Sequence, residues 1–175
     1  MLGKALFLDR DGTLIVHRPY LFEPSQVELL AGVRETLLRF IVDGYSLFLF
    51  TNQSGVGRGL FTLDAVHRCN QRMLQLLDLP PPGFVETCVA TETPEMPQCY
   101  RKPSPRFILE MVAKYSLSLE ETWMIGDTLN DMRAGLNAGV RAALIHESGA
   151  SVIPEGVLFC RNLGELYTRL SSGQT

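Results

Sequence analysis

A short apolar run that ends in two aspartates constrains the fold of this chain most strongly. Residues 5–8 (Ala-Leu-Phe-Leu) show no alternation of apolar and polar positions, which is typical of a strand covered on both faces. Asp9 and Asp11 follow directly, and Gly12 permits a sharp turn. Ligands of open α/β sheets bind at the carboxyl ends of the strands. The run therefore predicts a buried strand that delivers two carboxylates to a binding edge.

Similar apolar runs recur along the chain and alternate with segments that have the apolar spacing of helices. Parallel strands need crossover connections, and helices commonly supply them. We therefore expect a Rossmann-like α/β fold, with a mostly parallel sheet and helices on both faces. The further strands are predicted at residues 46–50, 84–85 with 87–90, 123–125, 142–145 and 157–159.

Polar residues predict where several helices begin. Thr62 and Asn162 are suitable N-caps for segments with helical spacing. Ser104 is predicted to cap a helix that has Pro105 at its first position. Residues 118–121 fit a capping box and predict a short helical turn.

The length of the chain and the spacing of its elements indicate one domain. A chain of 175 residues can bury one sizeable core. We assign residues 1–170 to this domain and 171–175 to a short polar tail. Segments 11–51 and 54–101 are each filled by irregular chain, one helix and one strand, so neither has room for a cap domain.

Composition argues against several classes of function. The formal net charge of -3 disfavours a general nucleic-acid-binding protein, which usually has a strongly basic surface. No apolar run has the length of a membrane-spanning helix, and the first residues lack a signal-peptide pattern. The cysteines are scattered, so we expect reduced thiols and a cytoplasmic protein. The oligomeric state is not indicated.

The polar residues that follow the predicted strands should meet at one edge of the sheet. Taken singly, each has an ordinary explanation, because such residues are common in turns, at helix starts and on solvated surfaces. Together they bring carboxylates, a hydroxyl, an amide and an ammonium group to one place. They are Asp9 with Asp11, Thr51 with Asn52, Lys102, and Asp127 with Asp131.

This set resembles the four motifs of the haloacid dehalogenase (HAD) superfamily of phosphohydrolases. The resemblance implies a HAD-like fold and a Mg²⁺-dependent hydrolase of phosphate monoesters. Asp9 would be the nucleophile that forms an aspartyl-phosphate, Asp11 the acid/base, and Thr51 and Lys102 the groups that contact the phosphoryl oxygens. The metal ligands would be the Asp9 and Asp127 side chains and the Asp11 backbone carbonyl.

The chemistry of phosphate esters agrees with this resemblance. A monoester repels nucleophiles by its own negative charge, so catalysis consists mostly of positioning and neutralisation. A hard divalent cation and the Lys102 ammonium would provide the neutralisation. Asp11 must give a proton to the departing alkoxide and later accept one from water. Asp131 either supports the metal ligands or caps a helix, and the sequence leaves both possibilities open.

Three segments resemble one subgroup, the D-glycero-D-manno-heptose 1,7-bisphosphate phosphatases and the related histidinol-phosphate phosphatases. These segments are 9–13, 51–55 with Arg58-Gly59, and 101–103. The resemblance implies that Arg101 and residues 17–20 contact the non-reacting end of the substrate, and a guanidinium beside Lys102 suits a second phosphate. The predicted substrate-binding residues are His17, Arg18, Pro19, Tyr20, Asn52, Gln53, Ser54, Arg101 and Thr128.

One loop departs from this subgroup, whose members commonly carry a zinc site before Arg-Lys-Pro. Ala90 stands where a histidine ligand would be, and Gln98 and Tyr100 occupy the positions of a cysteine pair. The two remaining thiols, Cys88 and Cys99, do not complete a structural zinc site. We therefore predict no zinc.

The substrate stays open at this stage. A sugar bisphosphate is favoured and histidinol phosphate is the first alternative. The zinc-free loop is also similar to polynucleotide 3'-phosphatase domains, although the acidic net charge argues against a nucleic-acid end. A non-catalytic binding protein on the same fold is the alternative from another class, since fold does not dictate activity.

Overall fold

The computed structural model describes residues 3–146 and 153–173. Its strands are β1 (Gly3–Leu8), β2 (Tyr45–Asn52), β3 (Phe84–Ala90), β4 (Leu117–Gly126), β5 (Arg141–Ile145) and β6 (Val157–Cys160). They form one parallel sheet in the order β3-β2-β1-β4-β5-β6.

Within the described residues, six helices connect or follow these strands. They are α1 (Val33–Val42), α2 (Ser54–Gly57), α3 (Leu63–Leu77), α4 (Arg106–Tyr115), α5 (Leu129–Asn137) and α6 (Leu163–Ser171), and a 3-10 turn spans Pro24–Gln26. Buried side chains of α1, α3 and α6 pack on one face of the sheet, and those of α4 and α5 pack on the other.

The two cores explain the unbroken apolar run of β1. Leu6 and Leu8 pack into the core beneath α1 and α3, whereas Ala5 and Phe7 pack into the core beneath α4. All four are fully buried. A strand covered on both faces needs apolar residues at successive positions. The predicted α/β class, with a parallel sheet and helices on both faces, is confirmed.

The strand order places the two most important strand ends side by side. From β1 the chain first builds β2 and β3 on one side, and then crosses to β4 on the other. Helices on opposite faces leave a crevice at such a reversal of strand order, and ligands bind there. This crevice lies beyond Leu8 and its β4 partner Ile125.

The predicted helix starts have three different outcomes. Thr62 and Asn162 are N-caps whose side chains accept hydrogen bonds from backbone amides, as predicted. Helix α4 begins at Arg106, one residue later than predicted. The helical turn predicted at 118–121 is wrong because these residues belong to β4. The Ser118 hydroxyl does accept a hydrogen bond from the Glu121 amide. This bond lies within β4, at the point where the pairing register between β1 and β4 shifts.

The other boundaries lie close to the predictions. Helix α6 includes Ser171, which is the first residue of the predicted polar tail. The segment between β1 and β2 contains only irregular chain, the 3-10 turn and α1. Among the described residues, no helix is both long and apolar enough to cross a membrane. The assignment of residues 1–170 to one domain stays a prediction.

Candidate active site

Two strand ends bring Asp9 and Asp127 to the same crevice. The Asp9 amide donates to the Ile125 carbonyl at 2.9 Å, so the β1–β4 ladder extends one residue beyond β1. Asp127 follows the last residue of β4. Gly12 turns the chain away with φ of 80°, a conformation that glycine adopts without steric cost.

The Lys102 ammonium lies at the centre of this crevice. Its Nζ is 2.6 Å from Asp9 Oδ1, 2.5 Å from Asp131 Oδ1 and 2.7 Å from the Phe50 carbonyl oxygen. The side chain is only 2% exposed, so it is not a solvated surface lysine. Burial alone would lower the pKa of Lys102, but the Asp131 and Asp9 carboxylates outweigh burial and raise that pKa.

Asn52 fixes the backbone of Lys102. Its Oδ1 accepts from the Lys102 amide at 2.9 Å, and its Nδ2 donates to the Lys102 carbonyl at 3.1 Å. This paired contact joins the end of β2 to a residue fifty positions later in the chain. Asn52 therefore helps to aim the ammonium group. Its predicted contact with substrate stays a prediction.

Three carboxylates could hold a cation beside this ammonium group. Asp9, Asp127 and Asp131 each offer an oxygen, and these oxygens lie within 4.8 Å of one another. Asp127 Oδ1 is buried without a hydrogen-bond partner among the described residues. An all-oxygen set with an unpartnered carboxylate oxygen suits a hard divalent ion. The side chains of Asp9 and Asp127, both predicted as ligands, are therefore brought together.

Burial perturbs the pKa values of two of these carboxyl groups, Asp9 and Asp127. Burial raises the pKa of Asp9, even though Lys102 opposes this shift. Burial, followed by the Asp131 carboxylate, raises the pKa of Asp127 to about 6. A divalent ion bound by these carboxylates would favour their charged forms and would oppose both shifts.

Asp131 caps helix α5, which is one of the two roles that the sequence left open, and its role beside the metal ligands stays a prediction. Its Oδ2 accepts from the Thr128 amide at 2.9 Å and from the Thr128 hydroxyl at 2.5 Å, and its own amide completes a capping box at the start of α5. Its Oδ1 meanwhile faces Lys102. The cap therefore fixes the carboxylate that lies against the ammonium group.

A second polar cluster surrounds Asp11. The Arg10 guanidinium forks onto the Asp11 carboxylate, and Gln53 Nε2 donates to Asp11 Oδ2 and to Thr51 Oγ1, both at 2.9 Å. Asn70 on α3 accepts from Arg10 at 2.9 Å. The sequence reasoning did not single out Arg10 or Asn70, although Arg10 stands between the two motif aspartates.

Two adjoining cavities open above these clusters. The reaction cavity, of about 210 Å³, is lined by Asp9, Lys102, Asp127 and Asp131 together with Arg101 and Thr128. The outer cavity, of about 160 Å³, is lined by Arg18, Tyr20, Gln53 and Ser54 together with Phe61. Both cavities are also lined by Asp11, His17 and Asn52.

Most predicted site residues therefore gather around these two cavities. Thr51 is fully buried beneath them, and its hydroxyl accepts from Gln53. Pro19 lines neither cavity. Phe61, which the sequence reasoning missed, stacks on Phe22 with ring centroids 5.9 Å apart and lies 6.5 Å from the Tyr20 ring. These contacts make one wall of the outer cavity aromatic.

The loop that carries Arg101 is organised by a carboxylate. Glu92 Oε1 accepts from the amides of Cys99, Tyr100 and Arg101 at 3.1, 2.7 and 3.3 Å. Arg101 Nη1 donates to the Glu92 carbonyl at 3.2 Å. Burial alone would raise the pKa of Glu92, but the amide donors outweigh it and lower that pKa. The absence of zinc stays a prediction.

Comparison with known proteins agrees with the geometry. Residues 99–152 match the HAD-hydrolase-like family model. The chain is 36% identical to D-glycero-beta-D-manno-heptose-1,7-bisphosphate 7-phosphatase of Helicobacter pylori, over 94% of this chain and 95% of the relative. It is 31% identical to the Campylobacter jejuni D-glycero-alpha-D-manno-heptose-1,7-bisphosphate 7-phosphatase, over 83% of each.

A solved structure matches at similar coverage. The D,D-heptose 1,7-bisphosphate phosphatase of B. bronchiseptica, complexed with magnesium and phosphate, superposes with a TM-score of 0.84 and 25% identity. The match covers 97% of this chain and 99% of that one. This chain belongs to the heptose-bisphosphate phosphatase family of HAD-like hydrolases. The predicted superfamily and subgroup are thereby confirmed.

In this HAD-like phosphatase, Gly12→Ala should weaken binding of a divalent cation at least tenfold, because the added Cβ would lie 2.1 Å from Asp127 Oδ2. Calorimetric titration with Mg²⁺ measures the effect. Gly139→Ala is the matched control, because Gly139 also has positive φ but its added Cβ would meet no atom within 4 Å. Both variants should lose about 1 kcal/mol of stability from backbone strain. Equal Mg²⁺ affinity in the two variants would contradict the cation site.

Proposed function

We propose that this phosphatase removes the 7-phosphate of D-glycero-D-manno-heptose 1,7-bisphosphate in a Mg²⁺-dependent reaction. The observation that carries the proposal is the buried Lys102 ammonium between Asp9 and Asp131, beside the unpartnered oxygen of Asp127. This arrangement can neutralise a phosphoryl group while a carboxylate attacks it. The printed names of the Helicobacter and Campylobacter relatives support the substrate.

The chain supplies a nucleophile and a proton carrier for a two-step displacement. An Asp9 oxygen bonds to phosphorus as the bond to the ester oxygen breaks, and the ester oxygen takes a proton from Asp11. Water then bonds to phosphorus and gives a proton to Asp11, which frees Asp9 and inorganic phosphate. Mg²⁺, held by Asp9, Asp127 and the Asp11 carbonyl with Asp131 alongside, supplies charge neutralisation when bound.

Lys102 and Thr51 hold the transferred group in this proposal. The Lys102 ammonium already contacts Asp9 Oδ1, so it also lies close to an oxygen of any phosphoryl group on that carboxylate. The Thr51 hydroxyl accepts from Gln53 and keeps its own proton to donate to a phosphoryl oxygen. Both groups are buried, and their interaction with charge is therefore stronger than in water.

The two cavities together suit a sugar that carries two phosphates. The reacting phosphate would occupy the reaction cavity, and the sugar would extend past Asp11 towards the aromatic wall of the outer cavity. A primary phosphate on an exocyclic carbon can reach a deep site more easily than one attached to the ring. The 7-phosphate is therefore the group that we assign to Asp9.

We assign the second phosphate to Arg101, which lines the reaction cavity, so the sugar in the outer cavity must turn this phosphate back towards Arg101. Its guanidinium donates to the Glu92 carbonyl, and the ion pairs among the described residues do not include it. Arg18, in contrast, lies 3.1 Å from a Glu28 carboxylate oxygen and is 45% exposed. The charge of an arginine without a carboxylate partner is not neutralised, so it attracts an incoming anion more strongly. The cytoplasmic location also remains a prediction from the sequence.

The proposed substrate is tested by measuring phosphate release from purified protein with Mg²⁺. Both anomers of heptose 1,7-bisphosphate, histidinol phosphate and a 3'-phosphorylated oligonucleotide are compared. We expect the highest kcat/KM for one heptose bisphosphate anomer, with loss of the 7-phosphate and no activity after chelation. A higher kcat/KM for histidinol phosphate or the oligonucleotide would contradict the proposal.

Arg101→Ala should raise KM for heptose bisphosphate by about tenfold or more, because a charge-assisted hydrogen bond is lost. KM for para-nitrophenyl phosphate, which has no second phosphate, should change less than about threefold. Arg18→Ala is the control and should have the smaller effect, since Arg18 is exposed and already paired. If Arg101→Ala changed KM by the same factor for both substrates, Arg101 would not recognise the second phosphate.

A further inference from the structure

We propose that Arg10, anchored by Asn70, is a positioning residue that aims the Asp11 carboxyl at the leaving oxygen of the substrate. The proposal rests on the function proposed above, in which Asp11 carries the proton. Neither Arg10 nor Asn70 touches the metal-binding carboxylates or the Lys102 ammonium in the contacts described above. Their contacts with the reacting groups run through Asp11, and Arg10 also lines the outer cavity.

The Arg10 guanidinium donates two hydrogen bonds to the Asp11 carboxylate. Its Nε donates to Asp11 Oδ2 at 3.0 Å and its Nη2 donates to Asp11 Oδ1 at 3.1 Å. Arg10 is only 1% exposed, although it carries a permanent charge. A planar guanidinium that donates to both carboxylate oxygens restricts rotation of the carboxyl group more than a single contact does.

Asn70 fixes the guanidinium in turn. Arg10 Nη1 donates to Asn70 Oδ1 at 2.9 Å, across sixty positions of sequence. Asn70 lies on the buried face of α3, one helical turn after Val66. All three nitrogens of the guanidinium therefore have acceptors. Because Asn70 belongs to α3, the packing of α3 determines how the guanidinium is oriented towards Asp11.

The contacts leave one Asp11 oxygen for proton exchange. Oδ2 accepts from Arg10 Nε and also from Gln53 Nε2, so both of its lone pairs are used. Oδ1 accepts only from Arg10 Nη2 among the hydrogen bonds of the described residues, at 3.1 Å, and Nη2 lies closer to Oδ2, at 2.9 Å, so Oδ1 keeps a lone pair. The network therefore assigns the transferred proton to Oδ1.

The position of Asp11 matches this assignment. Asp11 lines both the reaction cavity and the outer cavity. The ester oxygen joins the phosphoryl group to the rest of the substrate, so it must lie where the two cavities meet. As the bond between this oxygen and phosphorus breaks and Asp9 bonds to phosphorus, the Oδ1 proton moves to the ester oxygen. Asp11 is left as a carboxylate, ready to accept a proton from water.

A purely structural role would give the same contacts but a different response to mutation. Arg10 and Asn70 could serve only to join β1 to α3. A buried ion pair is by itself weak evidence of stabilisation, because desolvation offsets much of its attraction. The two roles are separated by the leaving group, since general acid catalysis matters for a basic alkoxide and matters little for a stable phenolate.

The experiment compares Asn70→Ala with the wild type in kcat/KM, which reports the first chemical step. With heptose bisphosphate, whose leaving group is an alkoxide, we expect a loss of about tenfold or more. With para-nitrophenyl phosphate we expect a loss below about threefold, because nitrophenolate departs without a proton. Arg10→Lys keeps the charge and removes the fork, and it should show the same selectivity to a larger degree.

Val66→Ala is the matched control, because it removes buried atoms from the same face of α3 without touching the network. It should reduce kcat/KM for both substrates by similar small factors. Equal losses on both substrates in Asn70→Ala and Arg10→Lys, or no loss, would overturn the positioning role. A wild type inactive on heptose bisphosphate would contradict only the proposed substrate, and the comparison is then made with an alkyl phosphate that it hydrolyses.

Discussion

The site depends on one buried ammonium group that holds carboxylates from separate parts of the chain. Lys102 lies within 2.6 Å of oxygens from Asp9 after β1 and from Asp131 in α5. Without a cation, three carboxylates with oxygens within 4.8 Å of one another would repel strongly in a buried site. Lys102 offsets one of these charges, and a divalent ion would offset the other two. Burial, together with the neighbouring carboxylates, raises the pKa values of Asp9 and Asp127.

The fold brings these groups together through a few constraints on the backbone. Adjacent β1 and β4 set the separation of Asp9 and Asp127, and Asn52 at the end of β2 holds the backbone of Lys102. Gly12 and Gly126 leave room for the carboxylates, since a Cβ at either position would lie within 2.5 Å of Asp127 or Asp131. These are small local requirements, but each one controls the position of a charged group.

Local patterns in the sequence predicted the elements and the strand ends because both depend on neighbouring residues. The unbroken apolar run of β1 requires cover on both faces, and the polar residues after it have to lie at the edge. The turn predicted at 118–121 failed for the opposite reason. Its local hydrogen bond forms, but pairing with β1 determines the backbone there.

Contacts between distant side chains could not be predicted in the same way. The bond between Arg10 and Asn70 spans sixty positions, and nothing in the pattern of α3 separates Asn70 from an ordinary helix residue. The carboxylate of Glu92 organises a loop whose sequence suggested only missing zinc ligands. The burial of Lys102 likewise depends on residues that are distant in sequence, since its ammonium contacts Asp9, Asp131 and the Phe50 carbonyl.

The most direct test of this account is to trap the covalent intermediate. Wild-type protein is mixed with Mg²⁺ and substrate, quenched in acid within one turnover and digested, and its peptides are analysed by mass spectrometry. The account predicts a phosphoryl group on the peptide that contains Asp9, and no such group when Mg²⁺ is omitted. Rapid release of phosphate with Asp9 unmodified throughout, or a phosphoryl group on another residue, would contradict it.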